Sequence, residues 1–372
     1  MAVPHDVVVL GGGVVGATCA WRLAEQGLHV LLVDPEPGAG ASHAAAGMLA
    51  PVSEMHGSEP ALLRLGLHAA GGFADHAARV QEASGLGVGY RPTGTLLVAL
   101  DAGDRARLAD VRRRQEQWGL QVERLSAAQC RQREPLLDPA VVAGTLVPGD
   151  HQVDPRRLVT AVLRAARERG VEFRRTTGEP AVTAGRVTGV RTPQGEVAAG
   201  RVVLATGARA TAHAPVRPVK GQVLRLRGNG SPVPHHVVRG TVRDRAVYVV
   251  PREDGEVVVG ATTEDLGYDT TVTAGAVRDL LQDACALVPA LAELELAEAV
   301  ARSRPGSPDN LPLIGAGDVE GLVLAVGHGR NGVLLSAVTA QAVTALVTGQ
   351  DVPPPVAACA PGRFEELVRW RG

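Results

Sequence analysis

The chain has 372 residues, 45% of them apolar, and a formal net charge of -1 at pH 7. This length exceeds what one hydrophobic core usually supports, so two domains are expected, and the near-neutral charge gives no electrostatic basis for binding nucleic acid or an anionic membrane. The cysteines have neither the spacing of a zinc site nor that of a disulfide framework; they are Cys19, Cys130, Cys285 and Cys359.

The first predicted unit is a strand, a helix and a second strand over residues 6–34. A buried strand, Asp6–Leu10, leads into Gly11, Gly13 and Gly16 with the spacing GxGxxG, and an apolar helix and a strand ending at Asp34 follow. This arrangement is typical of dinucleotide binding, because Gly11 makes the tight turn, Gly13 admits the pyrophosphate and Gly16 lets helix and strand pack closely. Asp34 is placed to accept hydrogen bonds from a ribose. The motif alone does not separate NAD from FAD.

A stretch of small residues, GASHAAAGMLAP at 40–51, follows the second strand directly. Small residues let the backbone approach a ligand closely, and Ser42 can donate its hydroxyl to a phosphate oxygen. A minimal NAD-binding domain does not need such a segment, so it favours a longer, buried cofactor. A plain alanine-rich helix start is the alternative.

The next part of the chain mixes strands and helices. Residues 86–100 predict two strands joined near a Pro-Thr-Gly turn, and a charged amphipathic helix is expected over 104–118. Ser126 is placed to cap a further helix. A longer helix is predicted over 155–170, with Asp154 as its N-cap and a proline in its first position.

Strand patterns dominate the following hundred residues. A buried strand over 202–208 ends in Ala205, Thr206 and Gly207, where the backbone can pass close under a cofactor. Residues 219–262 alternate apolar and polar side chains in several segments, which indicates an antiparallel sheet. A helix is expected over 273–287.

The C-terminal part contains an unusual polar loop, GHGRNG at 327–332, between an apolar strand and a long apolar helix. Asn331 can cap that helix, which ends near Gly349. A glycine-rich helix start presents free N–H groups and partial positive charge, so we expect it to stabilise negative charge on a bound group.

Taken in order, these motifs resemble one enzyme family. They are GGGVVG, Asp34, AAAGML, VVLATGA, PVKGQ, YVVPR, VGAT, SRPGSPDNLPLIG and GHGRNGV. The set is similar to the FAD-dependent amine and D-amino-acid oxidase group and, within it, to the glycine oxidases of the thiamine (thiazole) pathway. The similarity runs from Asp6 to about Gly349. One departure is Gly329, where the familiar form of the last motif has an aromatic residue, so the wall of the substrate pocket differs here.

The resemblance implies a set of site residues and a noncovalent FAD, because no cysteine lies where sarcosine oxidases attach their flavin. In addition to Gly11, Gly13, Gly16 and Ala205–Gly207, it implies that FAD is lined by Val14, Val15, Asp34, Ala41, Ser42, Ala46, Gly47, Met48 and Val182. It implies that the flavin ring is held by His328, Gly329, Arg330, Asn331, Gly332, Val333 and Leu334. It places Tyr248, Arg304 and Arg330 against the substrate. A homo-oligomer such as a tetramer is also implied.

The fold that follows is α/β, with a Rossmann-like FAD-binding domain and an antiparallel-sheet α+β substrate domain. Because strand-rich blocks interrupt the α/β blocks, we predict that both domains are discontinuous. The predicted FAD-binding domain comprises 1–85, 143–215 and 304–360, the substrate domain 86–142 and 216–303, and a C-terminal tail 361–372.

The chemistry of the substrate residues can be argued from their positions. Arg304 precedes Pro305, which forces it into an extended conformation with its side chain projecting, and a planar guanidinium suits a substrate carboxylate. The Tyr248 hydroxyl can give a second hydrogen bond. A surface arginine in a turn and a packed tyrosine are the alternatives. Lys220, the only lysine, either fills a site too tight for arginine or remains by chance.

These features predict a cytoplasmic FAD oxidase that acts on a small amino acid, glycine first, and passes electrons to oxygen with release of hydrogen peroxide. A strand pattern that begins at Asp6 leaves no room for a signal peptide, no apolar segment is long enough to span a bilayer, and no metal is expected. The alternatives are a D-amino-acid or sarcosine oxidase or dehydrogenase, a non-catalytic flavin-binding subunit and an NAD dehydrogenase.

Overall fold

Two large β-sheets organise residues 5–364, the part of the chain that the computed structural model describes. The strands are β1 His5–Leu10, β2 Val30–Val33, β3 Met48–Leu49, β4 Thr95–Ala99, β5 Glu123–Ser126, β6 Ala143–Val147, β7 His151–Gln152, β8 Glu172–Arg174, β9 Glu179–Thr183, β10 Arg186–Thr192, β11 Gly195–Leu204, β12 Arg217–Arg227, β13 Val237–Val242, β14 Arg245–Pro251, β15 Glu256–Gly260, β16 Glu295–Gly306, β17 Leu313–Ala316 and β18 Leu322–Val326. The helices are α1 Val14–Glu25, α2 Ala41–Ala44, α3 Pro60–Gly71, α4 Phe73–Ser84, α5 Ala102–Gln117, α6 Ala127–Arg133, α7 Pro155–Glu168, α8 Ala274–Leu287 and α9 Ser336–Thr348.

The first sheet has the order β17-β18-β11-β1-β2-β8, and β10 and β9 extend from β11. Its five central and outer strands β18, β11, β1, β2 and β8 are parallel, whereas β17 is antiparallel to β18. The central strands consist of buried aliphatic residues because both faces of the sheet are covered. Helix α1 packs against α7 and α9 on one face, and β9 and β10 cover the other.

The second sheet has the order β16-β12-β15-β14-β13-β4-β6-β5 and is antiparallel except for the β13–β4 pair. One face packs on α8 through a cluster of buried leucines and valines. The other face presents valines that include Val223 and Val258, and these pack against Ala44 and Ala46 from the first part of the chain. The small-residue segment therefore lies between the two sheets.

Several local predictions are confirmed. Strand β1, helix α1 and strand β2 occur as expected, Gly27 follows α1 with φ 79°, and Asp154 caps α7 through its carboxylate. Ser126 caps α6 in a reciprocal pair with Gln129. Thr273 accepts a hydrogen bond at the start of α8. These signals succeed because each involves only residues within one helical turn.

Other predictions are wrong. Only β4 occurs in 86–100, where Arg91 makes a single bridge to Gln152 instead of a strand. Helix α5 begins earlier than predicted because Asp101 caps it. Asn331 is not the cap of the C-terminal helix: Gly329–Asn331 form a 3-10 turn, and α9 begins at Ser336.

The predicted domain limits also need correction. Residues 143–147 were assigned to the FAD-binding domain, but β6 pairs with β4 and β5 in the second sheet. Likewise, β16 continues in that sheet to Gly306, beyond the predicted limit at 304. In the predicted tail, Pro361–Phe364 form a 3-10 turn with Phe364 buried, and 365–372 lie outside the described residues. No helix within residues 5–364 is long and apolar enough to cross a membrane.

Candidate cofactor and substrate site

The glycine-rich turn sits where β1 meets α1, close under the end of β11. Gly11 has φ 104°, and a Cβ added there would lie 2.7 Å from the carbonyl carbon of Ala205. A Cβ on Gly16 would lie 3.1 Å from the Ala205 Cβ. Glycine is therefore required at both positions. Helix α1 begins at Val14 after the N-cap residue Gly13, and apart from the Val14 N–H, which donates to Ser42 Oγ, the N–H groups of its first turn can serve an anion such as a pyrophosphate.

Two polar side chains organise this helix start. Asp34 accepts from the Gly12 N–H at 2.6 Å and from the Glu36 N–H at 2.7 Å. Ser42 Oγ accepts from the Val14 N–H at 3.0 Å, which leaves its own hydrogen free to donate to a phosphate. The structure thus brings the predicted Asp34 and Ser42 to the two sides of the same turn.

The segment from Ala41 to Met48 is fixed from the second sheet. Arg252 is buried and donates to the Ala46 carbonyl, to Gln152 Oε1 at 2.8 Å and to the Val153 carbonyl at 3.0 Å. Burial lowers the pKa of Arg252 to about 10. Gly47 has φ 76°, and a Cβ there would lie 2.7 Å from Pro155. The sequence contained Arg252 in the motif YVVPR, but its partners are far away along the chain.

The other predicted cofactor residues differ in where they lie relative to the glycine-rich turn. The Ala205 N–H donates to the Leu10 carbonyl, which sets Thr206 and Gly207 beside the glycine-rich turn. Val182, in contrast, is 40% exposed on β9, and its neighbour Ala181 is the buried residue. The proposed contact of Val182 with FAD therefore remains a prediction.

The loop before α9 combines a neutral histidine with open space. His328 is buried, its Nε2 lies 2.9 Å from Thr339 Oγ1, and burial lowers its pKa to about 4, so the imidazole is uncharged at neutral pH. Gly329 has φ 54°, and a Cβ there would meet no atom within 4 Å. An aromatic side chain at this position would therefore project into free space. With glycine here, this side of the predicted substrate pocket stays open.

The predicted substrate residues Arg304 and Tyr248 meet on the inner face of the second sheet. Arg304 lies directly over Gly221: a Cβ on that glycine would fall 2.5 Å from its Cζ. Its Nη1 donates to the Thr262 carbonyl at 3.1 Å. The Tyr248 ring lies over Gly260 in the same way, with a Cβ there 2.5 Å from its Cζ. Both glycines are needed because the side chains lie flat across the sheet.

The two groups also influence each other electrostatically. Burial raises the pKa of Tyr248, while a hydrogen bond and the positive charge of Arg304 partly oppose this rise. The phenol therefore remains protonated at neutral pH and can donate a hydrogen bond. A permanent cation beside a phenol donor is a suitable receptor for one carboxylate.

Arg330 forms ion pairs with two glutamates. Its Nε lies 3.2 Å from Glu54 Oε2, and its Nη2 lies 2.8 Å from Glu59 Oε2. Glu54 also pairs with Arg239 at 2.8 Å, and Arg239 is the cross-strand neighbour of Tyr248. These two carboxylates balance the charge of Arg330, and the placement of Arg330 against the substrate remains a prediction.

The segment that carries Glu54 is anchored by a buried acid that the sequence did not reveal. Asp150 accepts from the N–H groups of Val52 at 3.2 Å and Ser53 at 2.5 Å. Burial raises the pKa of Asp150 to about 6. Sequence patterns do not reveal this anchoring role, because Asp150 follows a Pro-Gly pair and aspartate is common in turns.

Lys220 has a structural environment. It is fully buried, and its Nζ contacts Asp269 and, at 3.7 Å, Glu264. Its backbone pairs with Glu264 in an isolated bridge. Lys220 therefore fixes the loop after β15 to β12. Neither of these partners belongs to the candidate cofactor residues.

These features fit FAD. The start of α1 at the glycine-rich turn, the lack of room for Cβ atoms at Gly11 and Gly16, and the small-residue segment held from the second sheet define a dinucleotide-binding protein. The chain belongs to the family described as FAD dependent oxidoreductase, which it matches over residues 6–346. FAD is accordingly its cofactor.

Known proteins resemble this chain over nearly its whole length. It is 34% identical to the Bifunctional protein ThiO/ThiG of Synechocystis sp. over 98% of this chain and 55% of that protein, and 30% identical to the Hydrogen cyanide synthase subunit HcnC of Pseudomonas aeruginosa over 97% and 96% of the two chains. The crystal structure of glycine oxidase from Geobacillus kaustophilus superimposes with a TM-score of 0.89 at 30% identity, covering 97% of this chain and 99% of that one.

These comparisons confirm the predicted fold class and family. The chain spans about half the length of the first ThiO/ThiG proteins that it matches.

Proposed function

We propose that this chain is a glycine oxidase that uses FAD. The net reaction is glycine with water and oxygen giving glyoxylate, ammonia and hydrogen peroxide. The observation that carries the proposal is the meeting of Arg304 and Tyr248 over Gly221 and Gly260, beside the segment that the FAD-binding turn requires. The likeness to a glycine oxidase structure and to ThiO/ThiG supports it.

The residues of the chain act mainly by positioning. The Arg304 guanidinium binds the substrate carboxylate and the Tyr248 hydroxyl donates a second hydrogen bond, which together fix the orientation of the short amino acid. FAD, when bound, supplies the acceptor for the hydride of the substrate's α carbon. Substrate must bind with its amine neutral, because that nitrogen provides the electron pair that expels the hydride. Correct placement supplies the rate, so no acid–base side chain is required.

The direct test is Arg304→Ala, with Arg217→Ala as the matched control. Arg217 lies on β12 with its side chain 64% exposed, and within residues 5–364 its ion-pair partner is Asp265. We expect Arg304→Ala to retain FAD, seen in the visible spectrum, while glycine turnover falls by about two orders of magnitude or more, because removing one partner of a buried charge pair costs roughly 3–5 kcal/mol. Unchanged turnover would remove Arg304 from the mechanism.

A second pair of variants isolates the phenol. Tyr248→Phe removes the proposed hydrogen bond, whereas Tyr268→Phe removes an exposed hydroxyl that donates to the Ala208 carbonyl. We expect a rise in the glycine KM for the first variant of about tenfold, the cost of one hydrogen bond to a charged group. The second variant should match the wild type.

Related activities can be separated by substrate and acceptor. A panel of glycine, sarcosine and D-alanine, read both as peroxide and as reduction of an artificial dye, separates a glycine oxidase from a D-amino-acid or sarcosine oxidase and from a dehydrogenase. Anaerobic bleaching of the yellow protein by glycine would exclude a non-catalytic flavin-binding subunit.

The biological setting follows from the same proposal. We infer that the imine product supplies thiazole synthesis for thiamine, which the similarity to ThiO/ThiG supports. A cytoplasmic location and a homo-oligomer such as a tetramer remain predictions, and sedimentation of the purified protein tests the second.

A further inference from the structure

The candidate substrate pocket carries more charge than glycine needs. Three arginines, Arg304, Arg239 and Arg330, and two glutamates, Glu54 and Glu59, lie along a connected path that starts at Tyr248. The path joins the second sheet to the loop before α9. The pairing of these charges determines which substrate charges the pocket can accept.

Glu54 neutralises two of the arginines at once. Its Oε1 lies 2.8 Å from Arg239 Nη1, and its Oε2 lies 3.2 Å from Arg330 Nε. The Glu54 side chain is only 14% exposed, so water screens this arrangement weakly. Glu59 holds the remaining face of Arg330 and is itself bound by Asn310.

Arg304 differs from the other two arginines. Among residues 5–364, no carboxylate lies within 4.0 Å of its guanidinium, which donates to the Thr262 carbonyl at 3.1 Å. Arg239 is the cross-strand neighbour of Tyr248 and holds Glu54 at 2.8 Å, so the Tyr248 ring, Arg239 and Glu54 lie on the same face of the second sheet. The pocket therefore offers one positive charge that lacks an acidic partner, next to a fixed carboxylate.

We propose that Glu54 determines specificity by limiting substrates to a single carboxylate. This inference rests on the proposed function, in which Arg304 binds the substrate carboxylate. A substrate with a second carboxylate, such as iminodiacetate, would place it against the Glu54 carboxylate or would have to displace Glu54 from Arg239 and Arg330. Like charges in a poorly hydrated pocket repel strongly. Glycine, sarcosine and other monocarboxylic amines avoid this repulsion.

Replacing Glu54 by glutamine reverses the charge balance with little change of shape. In Glu54→Gln, Arg239 loses its carboxylate partner while Arg330 keeps Glu59. Arg239 then becomes a second receptor for an anion beside Tyr248. The variant should accept a dicarboxylate, and Glu54→Gln/Arg239→Gln should lose this gain.

The test compares two unreactive ethers that match sarcosine and iminodiacetate. Methoxyacetate has one carboxylate and diglycolate has two, and calorimetry on the flavin-loaded protein gives the Kd of each without turnover. Wild type should bind methoxyacetate more tightly than diglycolate. In Glu54→Gln the diglycolate Kd should fall relative to the methoxyacetate Kd by about tenfold or more. The kcat/KM for iminodiacetate should likewise rise relative to that for glycine.

Control variants separate charge from general damage. Glu320→Gln removes an exposed partner of Arg186 at the edge of the first sheet and should leave both ratios unchanged. Arg239→Gln alone removes one of the two cations that pair with Glu54 and leaves the Glu54 carboxylate less neutralised. This variant should weaken the binding of diglycolate more than the binding of methoxyacetate. The proposal can therefore be judged even if Glu54→Gln does not fold.

Two outcomes would overturn the inference: a wild type that binds both ethers equally, or a Kd ratio in Glu54→Gln within about twofold of the wild-type ratio. Failure of the proposed function gives a different result. In that case wild type does not oxidise glycine, while the binding ratio of the two ethers still reports on Glu54.

Discussion

Gly221 offers a way to move Arg304 without changing any charge. Gly221 lies in β12, where its backbone is extended and accepts an ordinary residue, but an added Cβ would lie 2.5 Å from Cζ of Arg304. Normal carbon contacts are about 3.5 Å or longer, so the guanidinium must move by about 1 Å. The Gly221→Ala variant therefore displaces the proposed carboxylate receptor selectively.

The expected effects on activity and stability differ sharply. Misplacement of a binding group by about 1 Å can cost about 100-fold in rate, so kcat/KM for glycine should fall by about that factor. The free energy of unfolding should change by less than about 1 kcal/mol, since the clashing atoms are the mobile end of a long side chain. Steady-state peroxide production and urea denaturation measure the two quantities.

A double-mutant cycle and a control complete this experiment. Once Arg304→Ala has removed the guanidinium, Gly221→Ala should have no further effect on kcat/KM. Gly200→Ala, where the nearest atom is the Asp6 carbonyl oxygen at 3.6 Å, controls for alanine in a strand. Wild-type activity in Gly221→Ala, or equal losses with and without Arg304, would refute the placement of Arg304.

Three further predictions address the cofactor turn, the buried lysine and the buried acid. Asp34→Ala removes the acceptor of the Gly12 N–H, so the FAD Kd measured by fluorescence titration should rise by about tenfold or more, with an unchanged glycine KM at saturating FAD; an unchanged FAD Kd would contradict this. Lys220→Arg overfills a fully buried site and should lower the free energy of unfolding by about 1–3 kcal/mol, whereas equal stability would show that the site has spare room. The pKa of Asp150 is raised from 3.8 to about 6 in the folded protein, so the folded state binds the proton more tightly and stability should fall as pH rises from about 4 to about 6. The loss is at most about 3 kcal/mol, and urea denaturation at several pH values should show a flatter profile for Asp150→Asn; parallel profiles would exclude this acid as the cause.

The sequence predicted those parts of the site that depend on neighbouring residues. The GxGxxG turn is recognisable because Gly11 needs a positive φ and Gly16 a close approach, and both requirements act within one βα unit. The cap at Asp154 is equally local. The C-terminal helix start was misplaced because a turn over residues 332–335 separates Asn331 from Ser336, and a capping residue alone does not reveal such an insertion.

Long-range pairs lay beyond the reach of sequence patterns. Arg239 and Glu54 are 185 positions apart, and Arg252 and the Ala46 carbonyl 206 apart. Their meeting depends on how the two sheets pack, which no periodicity encodes. The family resemblance pointed to Arg330 as a substrate residue, but only the folded structure shows that Glu54 and Glu59 occupy its charge.

The order of strands in the first sheet affects how the protein is made. Strand β11 depends on β18 for one of its neighbours, and α1 is covered by α9, yet both partners come from the last fifty or so described positions. During synthesis, the glycine-rich turn is therefore complete long before β18 and α9, which cover it, have been made. Flavin capture should consequently follow synthesis of β18 and α9, and chains truncated before β18 should be colourless.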